Sequence, residues 1–297
     1  MRTPILPRSR TRHAYLALAA ATAALAAAAL VPAAASAGTG RYVALGDSYT
    51  SGPLIPDQGG SPLGCLRSNH NYPSLVRAAI GPSSFQDISC SGATTANMTQ
   101  SQSVTLGTNP PQFNALTSGT AVVTIGIGGN DIGFASVVTT CAELSILNPF
   151  SSPCKDKYTA GGTDQLAQRI SNTAPKVAAV LAGIHQRSPS ARVFVVGYPV
   201  ILPNSGDGCW PFVPIAFGDV PYLRGVELKL DQMLASAAAA GHATYVNTYT
   251  DSIGHDVCQT PGTNWVEGLV PTSPAAPFHP NATGESHMAR QVIAAIG

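Results

Sequence analysis

Four short stretches carry residue types that, if the fold brought them together, could perform acyl transfer. Gly46-Asp47-Ser48 follows a short apolar run, and Cys90-Ser91-Gly92 follows a second. Gly126-Ile127-Gly128-Gly129-Asn130-Asp131 ends a third, and Phe278-His279-Pro280-Asn281 lies near the C-terminus. A serine hydroxyl is a weak nucleophile at its own pKa and needs a base to take its proton as it attacks. Imidazole, which titrates near neutrality, is the usual base. Attack on an ester carbonyl creates a tetrahedral oxyanion, and losing one of its hydrogen-bond donors typically costs ~10²- to 10³-fold in kcat. A glycine at position 92 lets backbone approach a substrate with no Cβ in the way, and Asn130 offers a side-chain amide.

Taken singly, each of these residues has an ordinary structural role. A serine in a turn is more often a helix cap, a glycine a turn former, and an asparagine a partner for its own loop. The Gly126–Gly129 stretch lacks the Lys-Ser/Thr of a phosphate loop and runs into Asn-Asp, which excludes that alternative. Gly-x-Ser-x-Gly, the familiar nucleophile elbow, is not met, because position 50 is Thr.

The elements that must position these residues alternate between strand and helix. Runs at 42–45, 85–89, 121–127, 192–197 and 243–247 are short, apolar or β-branched, and suit buried strands. Helical periodicity appears at 72–80, in Leu166, Ile170, Val177, Leu181 and Ile184, and again in Leu223, Val226, Leu230, Met233 and Ala237. A last helix is expected after Asn281, a suitable N-cap. This alternation predicts an α/β fold, with a parallel sheet covered on both faces and ligands beyond the carboxyl ends of its strands. The long segments 128–162 and 199–221, rich in Pro, Gly and Ser, are expected to be functional loops.

Serine, glycine, asparagine and histidine in this order, three of them after strand ends, resemble the SGNH hydrolases, also called GDSL esterases and lipases. The resemblance spans nearly the whole chain after residue 37. It implies a three-layer α/β/α sandwich with a five-stranded parallel sheet of flavodoxin-like order. It also implies Ser48 as nucleophile, His279 as general base, and an oxyanion hole from the Ser48 and Gly92 N–H groups and the Asn130 amide. Five other histidines follow residue 37: His70, His185, His242, His255 and His287. For His185 and His287, on helices, surface or C-terminal capping roles are expected; the other three lie in loops or past a helix end. His279 alone sits in a His-Pro-Asn step before the last helix, as the family requires. Where the family usually has an aspartate three residues before this histidine, the chain has Ala276. The expected acceptor for His279 Nδ1 is therefore a backbone carbonyl between 273 and 277, that of Ala276 first, with Asp251 or Asp256 as alternatives.

The first 37 residues read as a secretory signal peptide: Arg2, Arg8, Arg10 and Arg12, an Ala/Leu-rich run, then Ala35-Ser36-Ala37. The expected organisation is thus a signal peptide, 1–37, and one SGNH hydrolase domain, 38–297, in a secreted, extracellular protein. Removing the leader leaves 12 basic against 15 acidic residues, a net charge of about −3. No basic run follows residue 41, which argues against a nucleic-acid partner. No stable membrane insertion, metal or cofactor is expected, and the expected state is a monomer. Cys65, Cys90, Cys141, Cys154, Cys209 and Cys258 suit disulfides in an exported chain, and spacing alone permits 15 pairings. The resemblance, narrowed to secreted bacterial enzymes with three local disulfides, implies 65 with 90, 141 with 154, and 209 with 258.

The expected activity is hydrolysis of carboxylic esters, acylglycerols or similar lipid esters. A phospholipase or a short-chain or carbohydrate esterase of the same fold is the alternative, and a non-catalytic exported binding module a more distant one. Apolar residues at 53–56 and 210–217 are candidates both for an acyl pocket and for packing around a disulfide.

Overall fold

The computed structural model describes Met1 and residues 40–297, so the expected signal peptide lies outside the described residues. Five strands form one parallel sheet: β1 (Arg41–Gly46), β2 (Phe85–Asp87), β3 (Thr120–Gly126), β4 (Arg192–Val196) and β5 (Thr244–Val246). Their spatial order is β2-β1-β3-β4-β5, all pairs parallel. β1 lies between β2 and β3 and, from Tyr42 on, pairs in register with β3, Leu45 with Ile125 and Gly46 with Gly126. The chain reverses direction across the sheet at β1 and β3, so their carboxyl ends form the switch point where such sheets bind ligands.

Alternation along the strands explains the layers, because successive side chains point to opposite faces. Tyr42, Ala44, Val122, Phe194 and Val196 pack on one face with α1 (Tyr72–Ile80) and Val292 and Met288 of the last helix. Val43, Leu45, Val123, Val193 and Val195 face the other way, into a larger core covered by two long helices. Both faces are thus apolar, as expected of a sheet sandwiched between helices.

The helices begin where their caps dictate. Asn71 accepts the Ser74 N–H at 3.0 Å to open α1, and Gly81 closes it in the left-handed region. The segment expected as a loop at 128–162 instead holds α2 (Phe134–Leu147) and α3 (Pro153–Thr159). Its Pro and Gly residues lie at helix ends rather than throughout, and Cys141–Cys154 ties the two helices together. The helices α4 (Gln165–Arg187) and α5 (Val220–Ala240) cover the larger core, and α6 (Ala282–Ile296) ends the chain. Asn281 caps α6, accepting the N–H groups of Thr283 and Gly284 at 3.0 and 3.1 Å. The second expected loop, 199–221, is irregular up to α5.

Candidate active site

Ser48 opens a single helical turn, Ser48–Ser51, directly after β1. Asp47 makes that turn: its Oδ1 accepts the Tyr49 N–H at 3.0 Å, while its own N–H donates to Gly126 O at 3.0 Å. Gly46, at φ +149°, is where β1 passes beneath the turn, and a Cβ there would collide with the Thr50 hydroxyl. The local sequence Gly-Asp-Ser therefore has a backbone reason for its first two residues, and that backbone delivers the third to the carboxyl edge of the sheet.

His279 comes from the loop before α6, 231 residues away, and its Nε2 lies 2.8 Å from Ser48 Oγ. Its Nδ1 lies 2.8 Å from the carbonyl oxygen of Pro277. A carbonyl only accepts, so the neutral ring carries its proton on Nδ1 and Nε2 accepts from the serine hydroxyl. The carbonyl expected from Ala276 is thus that of Pro277. Ala276 O is already engaged by the His279 backbone N–H at 3.1 Å. The alternative carboxylates are occupied elsewhere, Asp251 by Gln291 and Asp256 by the Cys258 N–H and Gln259. Burial pushes the His279 pKa below its ordinary value, and the hydrogen bond to Pro277 only partly opposes this.

Tyr49, next to Ser48, fixes the histidine loop. Its hydroxyl donates to Phe278 O at 2.5 Å, and its ring lies 4.9 Å from the His279 ring. Phe278 itself adopts φ +60°, a left-handed conformation that costs a bulky residue on the order of 1–3 kcal/mol and persists only where neighbours hold it.

Gly92 and Asn130, the expected oxyanion donors besides the Ser48 N–H, lie just past the ends of β2 and β3. The N–H groups of Ser48 and Gly92 make no hydrogen bond among the described residues. Cys90 N donates to Gly46 O at 3.0 Å and Ser91 N to Cys65 O at 3.0 Å, anchoring the Gly92 loop to the end of β1. Gly92 takes φ +79°, where a side chain is strained. Asn130 donates one amide N–H to Ala93 O at 2.9 Å, joining the third motif to the second. Asp131 reinforces this joint, accepting the Thr95 N–H and hydroxyl at 2.9 and 2.6 Å.

Sequence reasoning missed a tyrosine that ties three strand ends together. Tyr198, just past β4, donates its hydroxyl to Asp47 Oδ2 at 2.6 Å and accepts the Gly129 N–H at 2.9 Å. Burial raises the Asp47 carboxyl to about 7, against the hydrogen bonds from Tyr198 and the Tyr49 N–H, and burial likewise raises the Tyr198 hydroxyl. The only signal in the sequence is an aromatic residue in the Gly-Tyr-Pro step after a strand.

A cavity of about 70 Å³ opens beside Ser48 and Asn130. Its walls are mainly helical and apolar: Val137 and Val138 of α2, Leu166 of α4, and Leu223, Val226 and Leu230 of α5. Of the apolar segments proposed for an acyl pocket, Ile215 lines the cavity, whereas Leu54 and Phe212 are exposed. Among the described residues no group of three or more His, Cys, Asp and Glu side chains is placed to hold a metal ion.

The remaining histidines stand apart from Ser48. His70 pairs with Asp57 at 2.9 Å, and His185 bonds Gly241 O at 3.0 Å. His287 is buried rather than on the surface, because Trp265 stacks on it at 4.3 Å, with His255 on the other face of that indole. The cysteines pair as 65 with 90, 141 with 154 and 209 with 258.

A parallel sheet of this order, with a serine and a histidine hydrogen-bonded at its switch point, defines an α/β protein of the flavodoxin-like type with a serine–histidine site, distinct from the nucleophile-elbow fold. The chain belongs to the GDSL-like lipase/acylhydrolase family, whose sequence model matches residues 44–286. It is 39% identical over 259 residues to lipase 2 of Streptomyces coelicolor, covering 86% of this chain and 85% of that one. Lipase 1 of the same organism is 33% identical over 246 residues, 82% of each chain. Among solved structures, phospholipase A1 from Streptomyces albidoflavus NA297 superposes with a TM-score of 0.71 at 29% identity, covering 87% of this chain and 99% of that one. The extracellular lipase of Streptomyces rimosus gives 0.66 at 28% identity, covering 86% and 98%. The protein is accordingly a carboxylic-ester hydrolase.

Proposed function

We propose that the protein is a secreted serine esterase or lipase that cleaves lipid esters through an acyl-enzyme on Ser48. The observation that carries this reading is the 2.8 Å hydrogen bond from Ser48 Oγ to a neutral His279 Nε2. As Oγ forms its bond to the ester carbonyl carbon, its proton passes to Nε2 and the carbonyl π pair moves onto oxygen. The resulting oxyanion is met by the Ser48 and Gly92 N–H groups and the Asn130 amide. Collapse breaks the C–O bond to the alcohol, which leaves with the proton from Nε2. Water, deprotonated by the same nitrogen, then attacks the acyl-enzyme and releases the acid and free Ser48. Throughout, Pro277 O accepts from Nδ1–H and stabilises the imidazolium that forms twice per turnover.

The apolar cavity beside Ser48 supports a hydrocarbon acyl group as substrate, since removing such a chain from water contributes about 0.8 kcal/mol per CH₂. Phospholipids are a second reading, favoured by the similarity to a phospholipase A1. Three disulfides support export, because such bonds persist in oxidising compartments. With the signal-peptide reading of 1–37, they support a single secreted domain, 38–297. Among the described residues no helix is long and apolar enough to cross a membrane.

Hydrolysis of p-nitrophenyl esters from acetate to palmitate, and of phosphatidylcholine, by the native protein and Ser48→Ala tests the reading. Loss of at least ~10⁴-fold in kcat is expected of Ser48→Ala. Retained turnover in that variant would refute the acyl-enzyme, and inactivity of the native chain on every ester would favour a binding module.

A further inference from the structure

Glu267 has no place in the four motifs, yet it grips the histidine loop on both sides. Its backbone N–H donates to His279 O at 3.0 Å, and its carbonyl accepts the Phe278 N–H at 2.9 Å, bracketing the peptide between those residues. Its side chain is fully buried. Oε1 accepts the amide N–H groups of Asn281 and Asn264 at 2.7 and 2.8 Å, and Oε2 accepts the Thr272 N–H and hydroxyl at 2.6 and 3.1 Å. Asn281 is the cap of α6, two residues after His279. One carboxyl thus ties the start of the loop, at Thr272, to its end, at Asn281.

The loop needs such a tie. Phe278 is held in a left-handed conformation that a bulky residue does not choose. The acceptor for His279 Nδ1 is not a separate side chain but Pro277 O, in the same loop. Any rearrangement of 277–279 would therefore move the imidazole and its acceptor together. In a triad, a carboxylate orients the ring by bonding it directly; here Glu267 bonds only the backbone and cap on either side of it.

We propose that Glu267 is the positioning residue for His279, replacing the orienting carboxylate of a triad by holding the histidine loop rather than the imidazole. This rests on the reading of His279 as general base. Burial pushes the Glu267 carboxyl up, but the hydrogen bonds from Asn281 and Thr272 outweigh burial and hold it below the usual range, so it is a full acceptor at neutral pH.

The test is kcat and KM for p-nitrophenyl butyrate by the full chain and by Glu267→Ala and Glu267→Gln. Rates are normalised to active sites titrated with a fluorophosphonate that labels Ser48. A purely structural role reduces the number of labelled sites and the Tm but leaves kcat per site unchanged. Positioning lowers kcat per site by about 30- to 100-fold in Glu267→Ala, within the range seen when an outer-shell partner is removed, with KM within twofold. Glu267→Gln keeps an acceptor toward Asn281 but presents an N–H to Thr272, and is expected to lose three- to tenfold. Should Glu267→Ala not fold, Glu267→Gln decides alone. A kcat per site within twofold of the native value in every variant that folds overturns the proposal, as does an effect confined to KM. His279→Ala retaining full activity would instead sink the general-base reading on which it rests.

Discussion

The Nδ1 of His279 lies 2.8 Å from the carbonyl oxygen of Pro277, two residues earlier in its own loop. The orienting acceptor of the imidazole is thus a backbone dipole rather than a charge. It holds the tautomer by the same hydrogen bond, and it stabilises the imidazolium less than a carboxylate would.

Removing either of the carboxylates considered as alternatives, Asp251 or Asp256, is therefore expected to leave turnover intact. Asp251→Asn and Asp256→Asn should each keep kcat within about threefold on a short-chain ester, because both groups bond elsewhere. A loss of ~10³-fold or more in either would show a carboxylate reaching the ring during catalysis.

Activity should persist into mildly acid solution. Burial lowers the His279 pKa below its ordinary 6.5, so the neutral, proton-accepting form survives to lower pH than a free imidazole would. The acid limb of kcat/KM is expected to have its midpoint below pH 6.5. A midpoint at or above 7 contradicts this account of the base.

Reduction should weaken catalysis before it unfolds the chain. Cys65–Cys90 closes a span of 25 residues, contributing about 3.5 kcal/mol in the chain-entropy model, and it anchors the loop that bears Gly92. Replacing both cysteines by serine is expected to lower kcat about tenfold at temperatures where circular dichroism still reports native structure. Unchanged kcat would show that the backbone bonds of Cys90 and Ser91 hold the loop unaided.

Asp231 should make the protein more stable in acid than in alkali through this one group. Burial raises its carboxyl from 3.8 to about 7 against the hydrogen bond from the Tyr198 N–H. The folded state therefore binds its proton more tightly than the unfolded chain does. That contribution is complete below about pH 4 and is lost as pH rises to 7, by at most roughly 4 kcal/mol. Asp231→Asn should thus gain stability over the native chain at pH 8 relative to pH 5 in urea titrations. An equal difference at both values would place the Asp231 pKa near that of a free carboxyl.

Much of the site was legible because its parts are local. Gly46, Asp47 and Ser48 are dictated by one turn, Asn281 caps the helix that follows it, and the strands fall in short runs that are mostly apolar or β-branched, β2 (Phe-Gln-Asp) being the exception. The helices at 134–147 and 153–159 were hidden by Pro, Gly and Ser at their ends. The cavity was hidden too, because its walls come from core faces of α2, α4 and α5, whose residues look like any other buried Leu and Val.

The sequence by itself determined which residue types would stand at the strand ends and in what order, since periodicity and turn chemistry act over a few neighbours. Only the tertiary structure decided their partners. It placed Tyr198 on Asp47 across 151 residues, His279 on Ser48 across 231, Pro277 rather than Ala276 at Nδ1, and Glu267 under the histidine loop. Those choices follow from close packing, in which a hydrogen bond of 2.6 to 3.0 Å exists or not according to displacements smaller than the spacing of residues along the chain.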